Sequence, residues 1–328
     1  MQENTEGYTD LDDTFVTNKH KTDEASPFEP AHFTVPLILV IGLLGNIVTI
    51  SVMQRKSFEK HLFRYMITAL AVSDSVLVAL APFNKSFVIE WLGFDFRSHS
   101  NMTCKVFYWF WRNAKMTSSW FIVLVSIERF IAVLFPFKSR QFVTKHFIVF
   151  GIVINYLFAM TFNTIWVYLT DSVINGTCQP NKSLNGNVKM EKFFIIIGTC
   201  LYSVIPSMLI VCLNSLTVKA FIKQKKSLGK VGSTSNKSRE TSMITIMLIC
   251  NSLAFVMLVV PVTLAHCYVI FTGSTDLFTS KDTITVFLRE ISQTLEHLNY
   301  AINFILYSAC SATFRREVLS TFSCLRRQ

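Results

Sequence analysis

Seven long apolar stretches run through this chain, at about residues 33–53, 62–83, 106–135, 147–169, 193–218, 241–271 and 284–307. A helix needs about 20 mostly apolar residues to cross the hydrocarbon core of a bilayer, and each stretch reaches that length. The fourth and seventh are the least hydrophobic, but their spacing fits spans joined by short loops. Composition agrees. Only 16% of residues are charged, with a mean hydropathy of +0.41, against about 25% charged in ordinary soluble domains. Too few polar groups remain to cover a water-facing globule, which disfavours a soluble enzyme. Eight cysteines in 328 residues are too sparse for a disulfide scaffold.

Charge sets the expected orientation. Residues 1–33 carry eight acids against Lys19 and Lys21. No basic segment followed by a short apolar run opens the chain, so a cleaved signal peptide is not expected and the first span would act as its own insertion signal. The first, third and fifth loops and the tail together hold 18 of the 31 basic residues, including Arg55, Lys145, Lys223 and Arg316. The rule that basic loops stay inside places these in the cytoplasm and the acidic N-terminus outside. The net charge of +10 then needs no nucleic-acid partner, because attraction of these loops to anionic membrane lipid accounts for it. The expected organisation is an extracellular acidic tail at 1–33, a seven-helix transmembrane bundle at 34–308, and a cytoplasmic amphipathic helix with a short tail at 309–328. In that last segment Phe314, Val318, Leu319 and Phe322 share one face, as in a helix lying in the headgroup plane. The fold class is an all-α membrane protein.

Polar residues inside spans are costly and usually face the bundle interior. Asn46, Asp74, Ser118, Asn299 and Asn303 sit at similar depths in the first, second, third and seventh stretches. Lone intramembrane Asn or Ser residues are commonly packing glue. Asp74 is different, because a carboxylate at that depth either neutralises itself or finds a cation and donors. Two readings stand. Asp74, Ser118, Asn299 and Asn303 form an oxygen site for a sodium ion, the one cofactor considered, or Asp74 is protonated or amide-paired.

These residues fall in a recognisable order. Gly45-Asn46, Leu70-Ala-Val-Ser-Asp74, Glu128-Arg129-Phe130, Phe135-Pro136, Pro206, Pro261 and Asn299-Tyr-Ala-Ile-Asn303-Phe-Ile-Leu-Tyr307 each stand in successive stretches. Together they resemble the motifs of the rhodopsin-like (class A) G protein-coupled receptors over nearly the whole chain. The wording of the seventh stretch and of residues 126–136 is most similar to neuropeptide-type receptors of invertebrates. The chain departs from the family in several places. Glu128 replaces the usual Asp, and Phe304 stands where the family has Pro, which predicts a less kinked seventh helix. Val259 replaces a switch Trp, Asn214 replaces Tyr, and the fourth span lacks its usual Trp.

The resemblance implies a receptor that binds an extracellular ligand in its outer half and activates a heterotrimeric G protein. Glu128, Arg129 and Tyr307 would form the G protein switch, the plainer alternative being a Glu–Arg pair that simply caps a helix end. The family's amine receptors use a third-span Asp where this chain has Trp111, and opsins use a seventh-span Lys where it has His297, so both subclasses are disfavoured. The outer half instead offers Lys85, Trp111, Arg112, Lys115, His266, Arg289, Glu296 and His297, a mixed-charge aromatic set suited to a peptide. Glu296 is the one acid at the depth of Lys115, which predicts a pair between them. Arg112 either meets a ligand or loop acceptor or snorkels to the outer boundary.

Cys104 and Cys178 both fall on the expected extracellular side, where disulfides persist. A bridge closing about 75 residues would contribute about 4 kcal/mol in the chain-entropy account. Asn175 and Asn181 head glycosylation tripeptides in the same outer loop. Cys324 is a candidate for lipidation or a plain thiol. A transporter or channel would show repeats or broken helices, and a membrane enzyme a metal or nucleophile motif; neither is visible, and no enzyme is expected. A receptor for a small acidic metabolite or odorant is the alternative within the fold.

Overall fold

The computed structural model describes residues 31–84, 92–135, 139, 141, 143–174, 177–180, 193, 196–229, 236–272 and 283–325. Lys85, Asn175 and Asn181 lie outside the described residues, and for Cys324 only the backbone is described. The helices are α1 (Ala31–Met53), α2 (Phe63–Leu80), α3 (Asn101–Leu134), α4 (Lys145–Thr170), α5 (Ile205–Gly229), α6 (Asn236–Thr272), α7 (Thr283–Ala301), α8 (Asn303–Cys310) and α9 (Ala312–Leu325). A small antiparallel hairpin, β1 (Asp171–Ile174) and β2 (Thr177–Pro180), follows α4 and sets Val173 opposite Cys178. Helix dominates because hydrocarbon offers the backbone no hydrogen bonds, so each segment must satisfy its own.

Among the described residues, six helices are long and apolar enough to cross a membrane, and they correspond to α1 to α6. The seventh stretch falls short on apolarity, since α7 carries Arg289, Glu290 and Glu296. It is also broken at Ile302, between α7 and α8. The interruption falls two residues before Phe304, where the chain has no proline. In a regular helix the Phe304 N–H would donate to the Tyr300 carbonyl four residues back. That carbonyl instead accepts Asn46 Nδ2 from α1 at 3.2 Å. A side chain inserted into the helical ladder is a known cause of a kink without proline.

Local chemistry explains other boundaries. α3 starts at Asn101, ahead of its apolar stretch, because Ser100 and Thr103 form a reciprocal capping box, with Thr103 N–H donating to Ser100 Oγ at 3.1 Å and Ser100 N–H to Thr103 Oγ1 at 2.9 Å. Before α5, residues Cys200–Val204 form a widened π-type turn. Pro206 cannot donate to the carbonyl four residues back, and the neighbouring Leu201 carbonyl is taken up by Trp120 Nε1 of α3 at 3.0 Å.

The core runs through the inner half of the bundle, where Phe58, Phe63, Met66, Phe121, Phe255, Tyr307 and Phe314 are fully buried in one cluster. Exposed Leu37, Phe150, Phe158 and Met257 form the surface that would face lipid. Ser311 takes an extended conformation after α8, and its hydroxyl accepts the Phe314 N–H at 3.2 Å. α9 then packs back on the bundle through Phe314, with Ser57 Oγ donating to Glu317 at 2.5 Å and Arg55 to Thr321 at 3.1 Å. Of the apolar face expected for α9, Phe314 and Val318 pack inward, while Leu319 is exposed.

Gly45 is what lets α1 approach α8. A Cβ there would lie 2.9 Å from Phe304 Cβ, with no flexible atom to yield. Gly45→Ala is expected to destabilise the purified protein by about 1–3 kcal/mol, the usual cost of overpacking, read as a lowered thermal midpoint. Gly151→Ala, where the new Cβ would meet only Leu124 at 3.9 Å, should leave the midpoint unchanged.

Candidate functional site

Three polar centres lie along the interior. In the half of the bundle nearer the hairpin, Lys115 of α3 and Glu296 of α7 form a direct ion pair, Nζ to Oε1 2.6 Å, with side chains 18% and 7% exposed. Tyr300, one turn along α7, donates its hydroxyl to the same Glu296 oxygen at 3.2 Å. His266 of α6 lies within electrostatic reach of both charges. Trp111 meets His297 edge to face, with ring centroids 5.9 Å apart. Arg112 turns its guanidinium over the Tyr108 ring, 5.2 Å from the centroid. Arg289 is half-buried on α7. The structure thus gathers Trp111, Lys115, His266, Glu296 and His297 and directs Arg112 toward Tyr108. A cluster carrying both signs of charge, two imidazoles and an indole can take up ligand carboxylates, amines, amides and rings alike.

Below this lies the fully buried Asp74. One oxygen accepts Ser118 Oγ at 2.5 Å and the other accepts Asn303 Nδ2 at 2.6 Å, so α2, α3 and α8 meet on one carboxylate. Asn46 is not drawn to Asp74, because it bonds the Tyr300 carbonyl. Asn299 is buried beside this layer with its Nδ2 unbonded, as are Asn46 Oδ1 and the Tyr307 hydroxyl. A carboxylate has about four acceptor positions, and among the described residues no basic side chain pairs with Asp74. The remaining carboxylate lone pairs and the side-chain oxygens of Ser118, Asn299 and Asn303 are the donor chemistry a hard monovalent cation requires.

At the other end, Glu128 and Arg129 form a two-point ion pair on adjacent residues of α3. The Arg129 guanidinium also lies over the Phe63 ring of α2, 5.2 Å from its centroid. A cleft of about 170 Å³, lined by Lys60, Leu62, Glu128, Arg129 and Val143, opens onto the pair. Tyr307 is fully buried, and its ring stands edge to face with Phe314 at 5.7 Å. Ser126 and Ser252 touch at 3.1 Å, joining α3 to α6, and Gln224 of α5 donates to the Val133 carbonyl at 2.6 Å.

The hairpin is tied twice to the N-terminal end of α3 and once to the turn before it. Cys104 and Cys178 form a disulfide with Cα atoms 5.5 Å apart, the Cys178 N–H donates to Ser98 Oγ at 2.9 Å, and the Val173 N–H donates to Asn101 Oδ1 at 2.7 Å. Asp95 anchors the preceding turn, accepting from the Arg97 side chain at 2.8 and 2.9 Å and from Ser98 Oγ at 3.0 Å. Burial alone would raise the Asp95 pKa, but the hydrogen bonds and charge of Arg97 outweigh it and hold the carboxyl below its ordinary value. Its contribution is therefore complete above the unfolded value of about 3.9 and lost only as pH falls through the lower folded value. The turn keeps this anchor at every mildly acidic or neutral pH.

Two polar chains escaped sequence reading. Ser73 of α2 bonds Thr117 of α3 at 2.9 Å and Tyr156 of α4 at 3.2 Å, while Asn155 donates to the Thr117 carbonyl at 3.1 Å. Tyr202 donates to Asn163 at 2.6 Å, which bonds Asn113 at 3.5 Å. Their shared signal is Asn113 and Thr117, four residues apart on α3, which read one residue at a time look like isolated glue.

Comparison with known proteins agrees with this architecture. Residues 45–307 match the 7 transmembrane receptor (rhodopsin family). The chain is 26% identical over 285 residues to the G-protein coupled receptor homolog Q2/3L of sheeppox virus (strain KS-1), covering 86% of this chain and 70% of the viral protein. It is 24% identical to the neuromedin-U receptor 2 of Homo sapiens, over 97% of this chain and 80% of that one. It is 23% identical to the FMRFamide receptor of Drosophila melanogaster, over 88% of this chain and 53% of that one. An all-α bundle of this kind, matched over most of its length, belongs to the rhodopsin family of seven-transmembrane receptors. Its relatives include receptors named for neuropeptides.

Removing one partner of a buried ion pair costs about 3–5 kcal/mol. Lys115→Ala and Glu296→Ala are each expected to lower the thermal midpoint markedly, and the charge-swapped double variant should recover part of the loss. Strict additivity in that cycle, measured on detergent-purified protein, would contradict the contact.

Proposed function

We propose that this chain is a plasma-membrane receptor, N-terminus outside, that binds an extracellular peptide in the outer half of its bundle and activates a heterotrimeric G protein. The observation that carries the peptide reading is the Lys115–Glu296 pair with Trp111, His266 and His297 around it. It offers several charged and aromatic contacts at once, which suits a ligand bearing both charges and rings. The neuropeptide names of relatives matched over most of this chain support the same reading. Arg112 and Arg289 complete the proposed pocket, and Lys85 is assigned to the same ligand set from the sequence. Asn175 and Asn181 are the proposed glycan acceptors, Cys104–Cys178 the tether of the outer loop, and Cys324 the proposed lipid attachment.

Signalling is assigned to Glu128, Arg129 and Tyr307. The Glu128–Arg129 pair is a bistable element, and an agonist that favours the open arrangement would release Arg129 to the G protein. Asp74, with Ser118, Asn299 and Asn303, is assigned a sodium ion, which would supply the counter-charge the carboxylate lacks.

A panel of amidated peptides and small carboxylic acids, scored by G protein dissociation in transfected cells, tests the reading. The expected hits are peptides. Hits confined to small acids would replace the peptide reading with that of a metabolite or odorant receptor. With an agonist in hand, Arg129→Ala should abolish the response while surface expression persists. Arg112→Ala should weaken potency about tenfold, equivalent to about 1.4 kcal/mol. Agonist affinity should depend on sodium in the wild type and not in Asp74→Asn.

A further inference from the structure

The Lys115–Glu296 pair is not saturated. Lys115 Nζ and the Tyr300 hydroxyl both donate to Glu296 Oε1, and among the described residues no donor meets Oε2. An ammonium has three donors, and Glu296 takes one of those of Lys115. Unused capacity on a carboxylate only 7% exposed is costly until a donor meets it. Space lies beside it. From Asn113 to Ser119 every residue of α3 is buried except Lys115, whose side chain is 18% exposed. Its ammonium meets a partner on α7, across the bundle, so the exposed part borders the interior and not the lipid face.

Charge decides what can use that capacity. The pair is neutral as a unit. A lone cation drawn to Glu296 is repelled by Lys115, and a lone anion drawn to Lys115 is repelled by Glu296. Neither gains a net Coulomb attraction that offsets its desolvation. A group carrying both signs gains from both partners. Its cation meets Oε2, its carboxylate meets the remaining ammonium donors, and four charges alternate in a closed ring with none left unpaired. The imidazoles of His266 and His297 lie within electrostatic reach of Glu296, and that of His266 within reach of Lys115. The edge-to-face contact of Trp111 with His297 stands one turn along α3 from Lys115, an aromatic wall for the carbon chain that joins the two ligand charges.

We propose that the ligand segment taken up here is zwitterionic: a peptide end that brings a cation to Glu296 Oε2 and a carboxylate to Lys115. A basic residue with a free C-terminus has this chemistry, and so does an acidic residue beside a free amino terminus. The inference rests on the peptide-pocket reading proposed above and narrows it. Within the charged set of that pocket, Lys115 and Glu296 read the sign pattern of the ligand, and a peptide whose buried end carries one charge is refused. A bound ligand of this kind leaves the pair closed and joins α3 to α7 through four charges in place of two.

The test uses full-length protein in nanodiscs and three probes built on one carbon chain: 5-guanidinopentanoate, butylguanidinium and pentanoate. Affinities are read by ligand-observed NMR at fixed ionic strength. Neither a G protein nor the natural agonist is needed, so a failure of coupling leaves the result untouched. The wild type should bind 5-guanidinopentanoate at least about ten-fold more tightly than either single-charge probe. Lys115→Met leaves a net negative site, and its tightest probe should become butylguanidinium. Glu296→Gln leaves a net positive site, and its tightest probe should become pentanoate. Each matching ion should also raise the thermal midpoint of its variant, and the opposite ion should not. Lys115→Met with Glu296→Gln strands no charge and should bind the three probes within about two-fold of one another; it decides the question where a single variant does not fold. Failure of 5-guanidinopentanoate to bind the wild type would overturn the proposal, as would equal affinities for the three probes or a preference that survives the doubly neutral variant. Peptide agonists found alongside such a result would keep the receptor reading and reject this narrower one.

Discussion

Asp74 is the point on which the interior is organised. A carboxylate in the middle of an apolar bundle is expensive to bury unless hydrogen bonds or a counter-charge compensate it, and here α3 and α8 each supply a donor to a different oxygen. Satisfying that one group holds three helices in register at the same depth. The layers above and below follow from it. One turn outward on α7, Tyr300 links this layer to Glu296 and through it to Lys115. On the opposite side of it, Tyr307 closes the stack against Phe314 of α9.

Much of this was legible from single residues whose chemistry admits few partners. Glu296 is the acid available at the depth of Lys115, and the two meet. Cys104 and Cys178 are the cysteines the charge pattern puts on one common side, and they are joined. Asp74 needed donors on neighbouring spans, and Ser118 and Asn303 supply them. What could not be read depended on contacts between residues that each have many possible partners. The break at Ile302 comes from an amide on α1, not from any residue of the broken helix. The bonds joining Ser73, Thr117, Tyr156 and Asn155 require the packing angles of three helices to be known first.

The three polar centres also differ in how they can change. The outer pair joins side chains on two helices, so relative movement of α3 and α7 breaks it. The Glu128–Arg129 pair lies within one helix and can persist through rigid-body motion. Its release needs a competing partner for Arg129 instead of separation of helices. Ser126 and Ser252, whose hydroxyls meet between α3 and α6 near the same level, add a restraint that such motion would have to break.

The charge carried by α7 has a consequence for biogenesis. Among the described residues, six helices are long and apolar enough to cross a membrane, but α7 brings Arg289, Glu290 and Glu296 with it. A charged residue at the centre of a span costs about 2.5–3.5 kcal/mol on the insertion scale. Lys115 and the groups around it are already in the membrane when α7 emerges from the ribosome. The last span therefore enters as a client of the earlier ones, and the contacts that shape the outer pocket also govern whether the chain completes its topology.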